Sequence, residues 1–233
     1  MAYTKRFDGR AFDETRKIEA KVGVVPRADG SASFSFGGTK AIAAVYGPRS
    51  MHPQYLQNPE EGVLRCFYDM ISFSVTERKR PGPSRRSSEV SFVTMQSLRP
   101  VLQLSNFPNT AIDVFIQVVQ ADASTRCAGI NAASLALAHA GIPMTDLVGS
   151  VSTGLIGDTV AVDMTKEEED YEEDGEKLVS DIPLAFLLRS GQISLMQLDG
   201  KIKPEKLKEA IAAGRAASSK IYDIQKKALK SLE

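Results

Sequence analysis

Ala111-Ile112-Asp113-Val114-Phe115-Ile116-Gln117-Val118-Val119 is a β-branched run, and a few residues later it passes into Ala123-Ser124-Thr125-Arg126-Cys127-Ala128-Gly129. Ser124 to Ala140 is rich in Ala and Leu and is closed by Gly141-Ile142-Pro143, the pattern of a helix with a glycine stop. A strand therefore feeds a helix through a Ser/Thr pair and an arginine. Free backbone N–H groups, two hydroxyls and a guanidinium would converge there on a phosphate-sized anion. Ser124 or Thr125 also reads simply as a helix cap, which such residues commonly are.

Strands dominate upstream. Ser31 to Phe36 alternates small or polar with apolar residues, Arg27-Ala28-Asp29-Gly30 turns into it, and Thr39 to Tyr46 is an apolar strand ended by Gly47-Pro48. Cys66 to Val75 reads as a further strand. Ser84 is placed to cap a helix over about 85–104, with Val90, Val93, Leu98, Val101 and Leu102 on its apolar face and Pro100 marking a kink or an early end. Downstream, Val148 to Met164 and Ile182 to Leu198 read as hairpins around Gly157-Asp158 and Ser190-Gly191. Lys203 to Leu232 is a long amphipathic helix with Pro204 near its start. Strands, helix, strand, helix and strands again predict one α+β domain over 1–233, a mixed sheet with packed helices.

The chain of 233 residues carries 29 Lys+Arg and 29 Asp+Glu, a net charge of zero, but the charge is segregated. Arg78-Lys79-Arg80-Pro81-Gly82-Pro83-Ser84-Arg85-Arg86 holds five cations in nine residues, at the start of a helix whose dipole adds to their repulsion. An anion there would relieve both, so Arg85 and Arg86 are candidate anion ligands. From Asp163 to Glu176 nine acids face the single cation Lys166, which reads as a solvated acidic loop.

The two cysteines, Cys66 and Cys127, have no zinc spacing, and the two histidines, His52 and His139, offer no triad or metal cluster. No apolar run approaches the roughly 18–20 residues of a membrane span, and Met1 to Arg10 lacks the apolar stretch of a secretion signal. A cytoplasmic, reducing compartment with no membrane partner is expected. Phe67, Tyr68 and Phe73 read as sheet core or subunit interface.

In order, Phe7-Asp8-Gly9-Arg10, Arg27-Ala28-Asp29-Gly30-Ser31-Ala32, Ala43-Ala44-Val45-Tyr46-Gly47-Pro48-Arg49, Phe73-Ser74-Val75-Thr76-Glu77-Arg78, Pro81 to Ser87, Thr125 to Ile130 and Ala132 to Met144 resemble the ribonuclease PH family, most closely its catalytic archaeal exosome branch. The likeness spans nearly the whole chain. It implies a ribosomal-protein-S5-domain-2-like fold and a six-domain ring in which this subunit alternates with an inactive homologue, under S1/KH-type RNA-binding caps. The implied reaction is phosphorolysis of single-stranded RNA from the 3′ end to nucleoside diphosphates, with inorganic phosphate as co-substrate and Mg²⁺ as cofactor.

By the family pattern Ser124, Thr125, Arg126 and Cys127 hold phosphate, and Arg85 and Arg86 hold the last RNA phosphates, with Arg78 and Arg80 extending the track. Asp181, in Ser180-Asp181-Ile182-Pro183, is the catalytic acid and a metal ligand. Asp170, or less surely Asp174, is a second ligand. Three departures keep a second reading open, a catalytically silent, RNA-guiding ring subunit. Ala123-Ser124 stands where the family has Gly-Gly, the acidic loop is longer, and His52-Pro53-Gln54-Tyr55 lacks the family's arginine, although Tyr55 could stack on a base.

Overall fold

Phe34 and Phe36 show how the first sheet closes. They alternate with serines on β2 (Gly30–Phe36), and both rings are fully buried with centroids 5.1 Å apart. In the computed structural model, which describes residues 3, 5–77, 79–173 and 176–231, β2 lies between β1 (Ile18–Val22) and β3 (Thr39–Ser50). β5 (Thr110–Gln120) and β4 (Val63–Met70) complete a five-stranded sheet of order β1-β2-β3-β5-β4. Its pairings are antiparallel except β4 with β5, so the sheet is mixed. β3 runs past Gly47-Pro48 through a register shift between Tyr46 and Arg49, whereas the sequence predicted its end there. β4 begins earlier and ends earlier than expected.

The two predicted hairpins form the second sheet. β6 (Val148–Ile156) and β7 (Thr159–Val162) flank the Gly157 turn, and β10 (Val179–Leu187) and β11 (Gln192–Met196) flank Gly191. The sheet order is β11-β10-β6-β7, all antiparallel. Between them the acidic segment is not a plain loop. It contains α3 (Lys166–Glu169) and a small hairpin of β8 (Glu172–Glu173) and β9 (Glu176–Lys177).

Helix α2 (Thr125–His139) is buried on nearly every side, because its small residues let it pack against β2, β3 and β5 of one sheet and β6 of the other. Gly129 is one reason, since a side chain there would press on Ile116 and the Tyr68 ring. α1 (Arg85–Leu98) packs on β4 and reaches β11, and it ends before Pro100, the early end rather than a kink. α4 (Pro204–Lys230) covers the second sheet and touches β1. The main apolar core runs from Phe34 and Ile116 through α2 to Val151, Ala185 and Ile221, with two smaller clusters around Met164 and around Ile182 and Phe186. No helix among the described residues is long and apolar enough to cross a membrane.

Of the three aromatics read as sheet core or subunit interface, Tyr68 is core, whereas Phe67 and Phe73 are exposed, and Phe67 stacks on Phe115 at 4.9 Å. The acidic run is not merely solvated, which corrects its sequence reading. Asp163 and Glu168 are fully buried, because the N-terminal segment delivers Arg16 and Arg6 to them. Arg6 is itself buried and grips both Glu168 oxygens and the Val162 and Asp163 carbonyls.

Candidate functional site

β5 ends beside α3, and the turn between β5 and α2 is where the backbone is most constrained. Ala123 and Ser124 have φ of 54° and 50°, in the left-handed region that favours glycine. Three groups hold this turn. The Thr39 hydroxyl oxygen lies 2.7 Å from the carbonyls of both Asp122 and Ala123, and it accepts from the Asp122 N–H at 2.9 Å. Arg16 bridges Asp122 (3.1 Å) and Asp163 (2.6 Å). Ser124 Oγ donates to Asp163 Oδ1 at 3.0 Å.

Ser124 is thus the N-cap of α2 by position, but its side chain makes no cap. The hydroxyl is committed to a buried carboxylate, so its contribution to an anion would come from the turn it fixes. The first N–H groups of α2 are left without a side-chain acceptor. They open on a cleft of about 1870 Å³ whose wall includes Thr125, Arg126, Arg86, Ser152, Glu169 and Asp181.

Arg126 reaches Glu89 on α1 with Nη2, at 3.3 Å and 3.4 Å from its two oxygens, longer than a well-made charge-assisted bond of about 2.7–2.9 Å. Arg126 Nε is buried with no partner among the described residues. A guanidinium held so loosely fits an incoming anion. All three of Arg80, Arg85 and Arg86 are exposed, and of them only Arg86 lines the same cleft. Successive helix residues point about 100° apart, so only one of the Arg85-Arg86 pair faces the wall. Arg78 lies outside the described residues, as does Asp174.

Asp181 sits on β10 opposite Gly154 of β6, and its backbone exchanges two hydrogen bonds of 2.9 Å with Asp199. Its side chain accepts from the Ser152 hydroxyl. Burial pushes its carboxyl above the usual carboxylate range, with Ser152 and Arg126 pulling the other way and Asp199 adding repulsion. Asp170 is on the cleft wall but exposed, and it pairs with Lys166 at 2.7 Å. Glu169, on the same wall, is the acid of this segment that feels Asp181, and it is pushed up to about 7 by burial and by that repulsion.

Sequence reading missed Glu169 because one acid in a run of acids looks like another. It also missed Glu89, whose only signal was its place three residues after Arg86. Cys127 is fully enclosed and burial pushes its thiol up to about 12, which leaves its backbone as its only means of meeting a ligand. Tyr55 is 83% exposed and away from this wall.

The pattern of the 3′ exoribonuclease family, domain 1, matches residues 14–143, and that of domain 2 matches residues 146–217. The chain is 50% identical over 226 residues to the exosome complex component Rrp41 of Pyrococcus furiosus, covering 97% of this chain and 88% of that one. It is 46% identical to the exosome complex component Rrp41 of Methanopyrus kandleri, covering 97% and 92%. The crystal structure of rice Rrp46 superposes with a TM-score of 0.85 at 28% identity, over 97% of this chain and all of that one. An Archaeoglobus fulgidus exosome with RNA bound to the active site shares the fold, with a TM-score of 0.79 at 23% identity over 94% and 92% of the two chains.

Proposed function

The chain belongs to the 3′ exoribonuclease family, and from that premise we propose that it is the phosphorolytic, catalytic subunit of an exosome-type ring. One observation supports this most. A single cleft brings together the open N-terminus of α2, a loosely held arginine, a second arginine, and a buried acid with a raised pKa. An attacking phosphate and a phosphodiester repel each other, so a site that aligns them needs fixed donors and cations in a shielded place.

In this reading the α2 N–H groups, Thr125 and Arg126 hold inorganic phosphate, and Arg86 holds the scissile phosphodiester of single-stranded RNA. A phosphate oxygen attacks the terminal phosphorus and the bond to O3′ of the preceding nucleotide breaks. A nucleoside 5′-diphosphate leaves with the attacking phosphate as its β-phosphate, and the shortened RNA keeps a 3′-hydroxyl. That oxygen needs a proton as it departs. Asp181, whose raised pKa favours the protonated carboxyl, supplies it, and Ser152 orients the acid.

Among the described residues no set of three or more His, Cys, Asp or Glu side chains converges as a metal cage. Glu169 and, once it has given up its proton, Asp181 line the same wall and fit Mg²⁺ nonetheless, since that ion commonly takes one or two carboxylates and fills its other positions with water and substrate phosphates. Asp170, on the rim and tied to Lys166, is the poorer donor. When bound, the ion supplies positive charge against the leaving oxygen.

A silent, RNA-guiding role has two motives, the lost glycine pair and the longer acidic loop. Ala123 and Ser124 occupy the left-handed conformations regardless, held by Thr39, Arg16 and Asp163, which answers the first, and the acidic loop still brings Glu169 and Asp170 onto the cleft wall. The ring partner is a homologous subunit. The test is RNA shortening by the chain reconstituted with that partner, with and without phosphate. Nucleoside diphosphates should appear only with phosphate, and Asp181→Ala should stop turnover while RNA binding persists. Tight RNA binding with no diphosphate under any partner combination would return the silent role.

A further inference from the structure

Glu89 is an acid set beside the two arginines that the phosphorolytic reading gives to phosphates. It stands on the second turn of α1, three residues beyond Arg86 and so on the same face of the helix, and it lines a wall of mixed charge where Arg126 is its ion-pair partner. Its side chain is 43% exposed to the cleft. Gln197, just past β11, donates from Nε2 to Glu89 Oε1 at 2.9 Å. With its amide nitrogen committed there, Gln197 turns Oε1 away, and that oxygen is buried with no partner among the described residues. This patch of the wall therefore presents the part-exposed Glu89 carboxylate, an acceptor, beside the donors of Arg86 and Arg126.

Neither phosphate nor a phosphodiester satisfies such a patch. Both offer acceptors and negative charge, and a carboxylate beside them weakens their binding. A carboxylate accepts only, so its ligand must donate. Next to the scissile phosphate, the donor that an RNA backbone carries on every nucleotide is the ribose 2′-hydroxyl. That group is also what lets a protein tell RNA from DNA at a given place.

We propose that Glu89, braced by Gln197, accepts a hydrogen bond from a ribose 2′-hydroxyl at the 3′ end of the substrate and makes the site selective for RNA. The inference rests on the phosphorolytic reading above. It assigns Glu89 to the sugar, and it separates the cleft into a phosphate side at the start of α2 and a sugar-reading side on α1.

The test uses the chain reconstituted with its ring partner and a short RNA in which the last or the penultimate ribose alone is 2′-deoxy. The unaltered protein should lose about 10- to 100-fold in kcat/KM at one of these positions, the size of a hydrogen bond to a charged acceptor. Glu89→Ala should be slower on all-RNA by a similar factor and then lose no more than about threefold further on the deoxy substrate, with the KM for phosphate little changed. If Glu89→Ala turns over too slowly to measure, the ratio of all-RNA to deoxy affinity without phosphate should collapse in the same way. Glu89→Gln, which keeps shape and the Gln197 contact, should fall between.

Discrimination that survives Glu89→Ala would overturn the proposal, as would an unaltered protein indifferent to both deoxy substrates. A raised KM for phosphate with discrimination intact would reduce Glu89 to a clamp on Arg126. An unaltered complex that never releases diphosphates would sink the phosphorolytic reading instead.

Discussion

Replacing Asp163 with Asn should damage the phosphate side of the cleft without touching it. Asp163 is fully buried and accepts from the Arg16 backbone N–H (2.8 Å), from Arg16 Nε (3.0 Å) and Nη2 (2.6 Å), and from Ser124 Oγ (3.0 Å). The Asn amide keeps one acceptor but removes the charge and turns a donor toward a guanidinium. Breaking a buried pair from one side costs about 3–5 kcal/mol, and the retained acceptor points to the lower end. At roughly 2–4 °C per kcal/mol for a chain of this size, Tm should fall by about 6–12 °C. The Ala123-Ser124 turn loses its anchor at the same time, so the KM for phosphate should rise by about an order of magnitude while the KM for RNA changes little. Thermal melting and phosphate saturation kinetics read the two effects separately. A Tm within about 2 °C of the unaltered protein, or equal changes in both KM values, would refute the idea that this buried pair builds the phosphate turn.

Ala123→Gly relieves a left-handed backbone that costs an L-residue roughly 1–2 kcal/mol, less the entropy that glycine gains when unfolded, so a net stabilisation of about 0.5–1 kcal/mol is expected in denaturant titration. Ser124→Gly should gain less, because it forfeits the bond to Asp163. Asp181→Asn should abolish turnover and raise Tm at pH 7. The folded-state pKa of Asp181 is raised, so its ionisation opposes folding above that pKa and has no effect below the unfolded value of about 3.9. The gain should therefore shrink as melts are repeated toward pH 4. Because one core joins residues of both family halves, Phe34 and Ile116 with Val151 and Ile221, calorimetry should show a single transition; two separated ones would divide the chain near residue 145.

Much of the fold was legible because its signals are local. Strand β5 running into α2, the Ser84 cap of α1 and the turns at Gly157 and Gly191 all declare themselves within a few residues, and Pro100 stops α1 where its missing N–H and ring require. Arg86, Thr125 and Arg126 were legible as anion ligands from charge at a helix start, Asp181 only through the family likeness, and the four do meet in one cleft. What stayed hidden depends on distance or torsion. Arg6 and Arg16 look like ordinary surface cations until their partners, 162 and 147 residues away, bury them. Nothing in the letters Ala123-Ser124 announces positive φ. Glu169 and Asp170 differ by one step along a helix, which decides which acid feels Asp181 and which pairs with Lys166. Glu89 acquires meaning only when β11 brings Gln197 beside it.

The most direct measurement is product identification from 3′-labelled single-stranded RNA, using the reconstituted ring with phosphate as the only variable. Nucleoside diphosphates that form in proportion to phosphate and vanish with Asp181→Ala are the expected result. Monophosphates released equally well without phosphate, or diphosphates undiminished by Asp181→Ala, would contradict the assignment of this cleft to phosphorolysis.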